Sequence, residues 1–526
     1  MIAAALVREA PVGTETELKL QLETAGLRRL RRHPLVQSLK RGRPVTQLLR
    51  SVYFDTPDFR LRGLGVVLRV RHIGRRRIQT LKTMGECLGG AWARSEWESE
   101  ISGDTPEIAQ LPEPELERLF ADRHLATALR PIFTTEVRRT AYILGAEEWE
   151  IELALDEGSL IAEQGTAPIC EAELELRSGE PRQLFDLALR LQKDMPARLM
   201  TTSKSQRGYA LADGSALAPQ KARPLALPLD ASAGEAFQAI ARSCVGQLLV
   251  NQDCLIETHA PEAVHQMRVA LRRLRSAMSV FKGFLDTPQT LALREEMRWL
   301  LGHLGAARDI DVFIGEILDP LADVYGDEPG FLALRNDFIA QKQVSYDIAM
   351  QIMSMPRFTQ LMLALGNWTE GGDWRHSDDP ERRAHLDRPA RDLARAILDK
   401  RDRTVIKRLK HLAKLDPQTR HMARIEVKKL RYAVEFFASL FPARKSRRLT
   451  EALAELQDGL GLLNDIAVSR ATLKTRAEDA GDAARLWVAG MIAGWHAARG
   501  AKLVEQAAKD VKAYARLPHF WRDERH

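Results

Sequence analysis

The sequence runs to 526 residues, 45% hydrophobic and 28% charged with a formal net charge of +7, which fits about two to four soluble domains rather than one core. Four cysteines (Cys87, Cys170, Cys244 and Cys254) without metal-ligand spacing argue against a disulfide framework and for a reducing compartment. No apolar run approaches the ~20 residues that cross a bilayer, and the opening MIAAALVREA lacks the basic n-region and long apolar core of a signal peptide.

Charge is unevenly placed. Residues 1–220 hold 31 Lys+Arg and 31 Asp+Glu, so the rest of the chain carries the whole basic excess. A neutral region dense in both signs, followed by a basic one, suggests two jobs on one class of anionic ligand.

The first predicted strand is TETELKL (Thr14–Leu20), whose alternation sends Glu15, Glu17 and Lys19 to one face and Leu18 and Leu20 to the other. Adjacent carboxylates repel, so the pattern suits a divalent cation held between them and an anion met by the lysine. Residues 24–33 (TAGLRRLRRH) read as an amphipathic basic helix. Strand-like runs follow, separated by a Thr-Pro-Asp turn and a glycine-containing loop. Arg69 and Arg71 share a face, and Thr80 and Lys82 come on the next strand. Arg94, Glu96, Glu98 and Glu100 alternate in ARSEWESEI, Glu150, Glu152 and Asp156 fall in EWEIELALDEG, and Glu171, Glu173 and Glu175 are spaced by two in CEAELELRSGE. A solvated sheet face would be rich in Lys, Glu and Thr. Arg/Glu pairs recurring on strand after strand instead fit the lumen of a closed barrel, with acids for a metal, bases for phosphates and helices outside.

With these residues in view, ExExK at Glu15, Glu17 and Lys19, YFDTPD at Tyr53–Asp58, LRVR at Leu68–Arg71, TLK at Thr80–Lys82, CEAELEL and SKSQRGYAL resemble the CYTH, or triphosphate tunnel, family across residues 12–211. The resemblance implies an eight-stranded antiparallel β-barrel that binds a triphosphate in its tunnel and hydrolyses it with Mg²⁺ or Mn²⁺. It implies Glu15, Glu17, Glu171 and Glu173 as metal carboxylates, with Asp156 and Glu98 assisting them and Lys19 in catalysis. Lys19, Arg69, Arg71, Lys82, Arg94, Arg139 and Lys204 become phosphate contacts; of the adjacent Arg138 and Arg139 only one can face the lumen, and Arg139 is preferred. Glu175 shares the face of Glu173 near the strand end, and its role stays open. The chemistry agrees independently: phosphoanhydride hydrolysis needs developing oxygen charge neutralised, which arginine forks and metal ions do without a covalent intermediate. No Walker-type glycine loop or framed nucleophile points to a phosphoenzyme.

Residues 212–232 (ADGSALAPQKARPLALPLDAS) read as a linker, after which the pattern is helical throughout. HQMRVALRRLRSAMSVF (His265–Phe281) matches HMARIEVKKLRYAVEFF (His421–Phe437) at an offset of 156, and LGAARDIDV (Leu304–Val312) matches LGLLNDIAV (Leu460–Val468) at the same offset. Two motifs in one register mean a duplicated helical unit. Met267, Leu271, Leu274, Met278 and Phe281 form an apolar stripe, while His265, Arg268, Arg272 and Arg275 form a basic one, repeated as His421, Arg424, Lys428 and Arg431. Solvated helices interleave Glu with Lys. These stripes are read as free of acid, which favours an extended anion between the copies, with Asp309 and Asp465 as candidates to orient the bases.

HxxRVxxRRLRS, LGxxRDIDV, KKLRYAVEFF and LQDGLGLLND resemble the CHAD module over about residues 233–520. That resemblance implies two pseudo-symmetric four-helix bundles around a basic channel for inorganic polyphosphate, with Arg268, Arg272, Arg273, Arg275, Arg424, Lys428, Lys429 and Arg431 as anion contacts beside His265 and His421. Asn464 in place of Arg308, and Glu426 in place of Ala270, mark drift between the copies. GDWRHSDDPERR (372–383) reads as a polar loop between the halves. The expected whole is an α+β multidomain protein: a CYTH barrel (1–211), a linker (212–232) and a CHAD domain (233–520). Its expected function is metal-dependent hydrolysis of inorganic triphosphate with polyphosphate binding, in the cytoplasm near polyphosphate granules, without a membrane or specific nucleic-acid partner. Adenylate cyclase chemistry in the same tunnel and a non-catalytic polyphosphate-binding role are the alternatives.

Overall fold

The computed structural model describes residues 14–83, 85–108, 123–376, 378–480 and 482–522; the opening MIAAALVREA lies outside them. Ten strands are present among the described residues: β1 (Thr14–Gln21), β2 (Lys40–Asp55), β3 (Val66–Ile73), β4 (Arg76–Thr83), β5 (Glu86–Leu88), β6 (Ala91–Ile101), β7 (Arg130–Gly145), β8 (Glu150–Ala162), β9 (Gly165–Ser178) and β10 (Arg198–Met200). Eight of them close an antiparallel barrel in the order β1–β9–β8–β7–β2–β3–β4–β6, with β6 returning to β1 through Glu15↔Arg94 and Glu17↔Trp92. The short β10 and β5 extend it beside β1 and β6.

The barrel is built inside out. Outward-facing Leu18, Leu68, Leu81 and Leu174 are fully buried, each contributing about 1.5–3 kcal/mol by leaving water. Val52, Phe54, Val66, Leu68, Val70 and Leu81 gather with Leu61 and Leu125 from helical segments into one such outer cluster. Charge therefore has only the lumen to enter. The predicted basic helix forms α1 (Thr24–Arg32), burying Leu27 and Leu30 and leaving its arginines outside.

Two more helices shape this part. Helix α2 (Arg182–Gln192) buries Leu184, Phe185, Leu187, Ala188 and Leu191 and packs against β1 and β9. Helix α3 (Lys204–Asp213) begins at a capping box, Ser203 Oγ accepting from Gln206 N while Ser203 N donates to the Gln206 side chain. It packs on β7, β8 and β9, where Phe133 stacks on Tyr53 at 4.3 Å and meets Tyr209 edge-on at 5.2 Å. A Cβ on Gly208 would fall 2.1 Å from the Phe133 ring, so only glycine lets α3 come this close.

Beyond the barrel the chain is helical. Helices relevant below are α4 (Ala233–Thr258), α5 (Pro261–Val280), α6 (Pro288–Val312), α7 (Pro356–Gly371), α8 (Pro417–Phe437) and α9 (Ala443–Ala480). The duplicated motifs lie on α5 and α8, and on α6 and α9. Both α5 and α8 open on a proline, at 261 and 417, keeping the offset of 156; α8 is capped by Asp416, whose carboxylate accepts from Thr419 N at 3.0 Å.

Cα packing separates two compact units. One is the barrel through Gln220 together with Val245–Ala263 and Met353–Gly372; the other is Lys221–Cys244, Val264–Ile352 and the chain from Asp373 onward. Part of α4 and all of α7 thus belong with the barrel, α7 packing on α2 and Asn367 donating to Asp186 at 2.5 Å. The module limits at 211 and 233 stay a proposal beside this packing division.

The segment expected to be a polar loop at 372–383 is more ordered than that. Trp374 is buried against Phe237 and Phe284, and Pro380–Asp387 is a helix capped by Asp379; an aromatic anchor and a cap outweigh the polar composition.

Candidate functional site

Alternation along eight strands brings the charged residues into one cavity of about 430 Å³ inside the barrel. Its wall includes Glu15, Glu17, Lys19, Arg69, Arg71, Lys82, Arg94, Glu96, Glu98, Arg139, Asp156, Glu173 and Lys204. Arg138 is exposed outside, so the adjacent pair divides as the strand pleat requires. Glu171 is buried next to the cavity rather than on its wall, and Glu100 pairs with Arg76 in solvent.

At one level of the lumen three carboxylates converge: Asp156, Glu171 and Glu173 each offer an oxygen within 4.8 Å of the others. Cations face them. Lys204 Nζ lies 2.7 Å from Asp156 and 3.0 Å from Glu173 and also donates to Glu171. Arg139 forks onto Asp156 at 2.6 and 2.8 Å and reaches Glu173, and Lys19 donates to Glu173 at 2.7 Å. Burial alone would lower the Lys19 pKa, yet Glu17 and Glu173 outweigh it and raise its pKa, as Asp156, Glu171 and Glu173 do for Lys204. Both lysines are therefore fixed cations, unsuited to act as bases.

At a second level Glu17 meets Arg94 at 2.7 Å, and Glu15 meets Lys82 at 2.7 Å. Glu17 also stands opposite Glu175 in the β1–β9 register. Glu175 lines the cavity, and burial followed by the charges of Glu15, Glu152 and Glu17 pushes its pKa up to about 7 despite Arg177. Of the four residues expected to hold metal, Glu171 and Glu173 gather with Asp156, Glu17 joins Glu173 through Lys19, which donates to both, and Glu15 stands at Lys82.

The third wall is basic. Arg69 approaches Glu96 at 3.4 Å and Glu98 at 3.9 Å, and Glu98 accepts from Thr80 at 3.0 Å. Arg71 donates to Ser51 Oγ at 3.2 Å and forms no ion pair among the described residues; burial, then Arg69 and Arg139, lower its pKa to about 10. Tyr53 stands beside both arginines. Burial would raise its pKa, but Arg69 and Arg71 bring it below the usual value.

Several participants escaped the sequence reading. Arg207, three residues after Lys204 on α3, pairs with Glu171; the helical spacing was available as a signal. Tyr53 and Ser51 alternate with buried Val52 and Phe54, so strand parity could have placed them in the lumen. Asp55 of the same YFDTPD motif serves the backbone, accepting from Thr56 N at 2.7 Å, Leu61 N at 2.8 Å and Arg62 N at 3.0 Å.

The helical unit holds a different cluster. Arg268 and Arg272 of α5 lie in the same electrostatic neighbourhood as Arg424 and Lys428 of α8: burial, then Arg424 and Arg272, pull the Lys428 pKa down to about 7, while burial and Arg272 bring Arg268 to about 10. Asp309 sits 3.4 Å from Arg268, and Asp465 partly offsets the charges on Arg424 and Lys428. His421 Nδ1 contacts Asn464 Oδ1, and His265 is half-buried three residues before Arg268. A Cβ at Gly305 would lie 2.9 Å from Arg268 Nη1, and one at Gly461, its repeat partner, 3.6 Å from Arg424 Nη2. The glycine makes room for the arginine at Gly305, whereas at Gly461 the approach is an ordinary contact.

Other members of the expected basic stripe diverge. Arg431 pairs with Glu435 at 2.9 Å and Lys429 with Glu426 at 2.7 Å, so the face read as free of acid carries one at its C-terminal end, where i,i+4 spacing brings Glu435 beneath Arg431. Arg273 is buried against the Phe436 ring and reaches Glu435 at 4.0 Å. Arg275 is exposed among Arg294, Glu295 and Arg298.

Comparison with known proteins gives matches in both regions. The CYTH domain model matches residues 13–209, and the CHAD domain model matches residues 239–474. The inorganic triphosphatase of Haemophilus influenzae is 34% identical over 165 residues, 31% of this chain and 46% of the relative, so the chain spans about half of that protein's length. Among solved structures, the CHAD domain of the plant Ricinus communis is 33% identical, with 57% of this chain and 99% of that one covered and a TM-score of 0.49. An adenylyl cyclase candidate from Hippeastrum with a dominant triphosphatase activity is 21% identical, covering 39% of this chain and 97% of that one at a TM-score of 0.29.

Proposed function

In a chain that belongs to the CYTH–CHAD proteins, we propose that the barrel hydrolyses inorganic triphosphate with a divalent cation and that the helical cluster binds polyphosphate. The observation that carries the reading is the lumen itself. Desolvating this many charges costs several kcal/mol per ion even when they are paired, and an apolar filling of similar volume would be at least as stable. A site that takes in a charged ligand accounts for that cost.

The donor set fits a hard cation. Asp156, Glu171 and Glu173 offer only carboxylate oxygens, as Mg²⁺ and Mn²⁺ prefer, and those carboxylates would hold the metal, with Glu15, Glu17 and Glu175 as the second acidic group. Such a metal supplies neutralisation of phosphate oxygen charge. The chain's own groups do the rest. Arg71, without a carboxylate of its own, and Arg69 beside it take the terminal phosphate through guanidinium forks. Lys19, Lys82, Arg94, Arg139 and Lys204 follow the phosphate chain, exchanging carboxylate partners for phosphate oxygens. Tyr53, with its lowered pKa, can place a proton near the phosphate held by Arg69 and Arg71. A carboxylate freed from its cation, Glu98 or one of the acidic groups, orients the attacking water.

Among the described residues of the helical unit no carboxylate set of this kind accompanies Arg268, Arg272, Arg424 and Lys428, which suits a long anion rather than hydrolysis. Activity in the cytoplasm near polyphosphate stores belongs to the same proposal. Phosphate release from inorganic triphosphate, with Mg²⁺, Mn²⁺ or EDTA and with ATP compared, tests it. Metal-dependent release from triphosphate with little from ATP is the expected result. No release under any metal would leave a polyphosphate-binding protein, and cyclic AMP formed from ATP would make the tunnel a cyclase.

A further inference from the structure

Between β10 and α3 lies a segment, Thr201–Ser203, that is neither strand nor helix and yet is buried. Its backbone and hydroxyl donors need acceptors; Ser203 finds them in the capping box, and for Thr201 and Thr202 a single carboxylate supplies them. Asp253 of α4 accepts at Oδ2 from Thr201 N (2.8 Å), Thr201 Oγ1 (2.6 Å), Thr202 N (3.2 Å) and Thr202 Oγ1 (2.9 Å), while its Oδ1 takes Arg198 Nη1 at 2.6 Å. The side chain is 4% exposed. Its neighbour Gln252 donates to Leu199 O at 2.9 Å, and Arg198 reaches back to Gln21 on β1. The residue after this segment is Lys204, the cation facing Asp156, Glu171 and Glu173.

We propose that Asp253 is a positioning residue for the tunnel: by fixing Thr201 and Thr202 it sets where α3 starts and so holds Lys204 on the three carboxylates. It lies within the 239–474 region of the CHAD match but packs in the compact unit of the barrel. Part of the barrel's catalytic geometry is therefore written in the other module's sequence. The reasoning is local. At 4% exposure the two oxygens of this aspartate serve four donors of Thr201 and Thr202 on one side and Arg198 on the other, so asparagine must turn its NH2 donor on one set of donors or the other, a penalty the segment escapes only by moving. Lys204 is one residue away and sits within 3 Å of two carboxylates, so a small shift breaks its contacts.

The inference rests on the triphosphatase reading for its activity readout, so the experiment carries a second readout that does not. In the full-length protein, Asp253→Asn, Lys204→Ala and the double variant are compared for kcat and KM on inorganic triphosphate, and amide hydrogen exchange is followed over residues 199–206. Asp253→Asn should lower kcat about tenfold or more, add little in the Lys204→Ala background, and speed exchange at 201–204 with the rest of the barrel protected. Asp253→Glu should recover part of the loss. Should Asp253→Asn fail to fold, Thr202→Val, which removes one hydroxyl donor alone, should move both readouts the same way by less. Wild-type activity and exchange in Asp253→Asn would overturn the proposal, as would losses that multiply fully with Lys204→Ala. A wild-type protein inert on triphosphate would sink the triphosphatase reading alone, and exchange at 201–204 would still decide the role of Asp253.

Discussion

The barrel lumen and the helical cluster both collect arginine and lysine, and they treat that charge in opposite ways. In the lumen nearly every cation touches a carboxylate: Lys19, Lys82, Arg94, Arg139 and Lys204 all have partners within 3 Å. In the helical unit Arg268, Arg272, Arg424 and Lys428 have mainly one another as charged neighbours, and burial first, then that like charge, brings the pKa down to about 10 for Arg268 and about 7 for Lys428, with Asp309 and Asp465 offsetting only part of it. A site of paired charges can accept a metal on its acids and a phosphate on its bases together, each ligand replacing the other's partner. A site of like charges gains only from an anion. The first arrangement suits chemistry and the second retention.

The largest effect expected from this contrast is on the acids. Glu173→Gln removes a carboxylate shared by Lys19, Arg139 and Lys204 and should cut triphosphate hydrolysis by about 10²–10³-fold, with polyphosphate binding unchanged. A retained kcat would show that the lumen acids only balance charge. Next comes the converse variant. Arg272→Ala with Lys428→Ala should weaken polyphosphate binding about ten- to hundredfold and flatten its salt dependence by roughly 1.4 in log–log slope, while triphosphate turnover holds. Loss of turnover in that variant would mean that the two sites are coupled.

Within the lumen, Arg71→Ala is the sharper probe because Arg71 has no ion pair to lose among the described residues. It should raise KM by roughly thirtyfold, the worth of about 2 kcal/mol in a charge-assisted hydrogen bond, with little change in melting temperature. A destabilised protein with a normal KM would instead make Arg71 a packing residue.

How much of this was legible in the sequence depended on the element. Strands repeat every two residues, so Glu15/Glu17/Lys19, Arg69/Arg71 and Glu173 could be placed on one face before any fold was known, and Arg139 could be chosen over Arg138. Depth along the barrel axis was not legible: which acids share a level depends on strand stagger, and so Asp156 joins Glu171 and Glu173, with Glu17 tied to Glu173 through Lys19 and facing Glu175 across the strands. On the helices the period of 3.6 showed the stripe but not its partners, so Glu435 beneath Arg431 and Phe436 against Arg273 were missed. Asp253 carried no local signal at all, since its meaning lies in Thr201 and Thr202, some fifty residues away in sequence.

The Lys428 pKa of about 7 gives the cluster a pH dependence with a definite sign. In the free protein Lys428 is charged below about pH 7 and largely neutral above it, whereas its unfolded value is 10.5. The unfolded chain therefore binds more protons between those values, and this group's contribution to stability rises with pH across that interval. Binding runs the other way: a polyanion restores the proton, so affinity should fall as pH rises from 6 to 8, by up to about tenfold for one proton taken up across a pKa of about 7, with proton uptake at the upper end. Lys428→Arg should flatten the profile. A profile equally steep in that variant would assign the titration elsewhere.

The smallest expected effect separates the two repeats. At Gly305 a new Cβ would stand 2.9 Å from Arg268 Nη1, whereas at Gly461 the nearest Arg424 atom is 3.6 Å away, an ordinary contact. Both glycines are in helices, where alanine is favoured by about 1 kcal/mol. Gly461→Ala should therefore stabilise the protein and leave polyphosphate affinity alone. Gly305→Ala must displace the Arg268 guanidinium, and because that group is the far end of a flexible side chain the cost falls on its position rather than on the fold: affinity should drop by less than tenfold with stability unchanged or raised. Calorimetric titration with polyphosphate beside thermal melts reads both quantities. If the two variants behaved alike, the copies would hold their arginines equivalently, and the drift between Arg308 and Asn464 would have no consequence for binding.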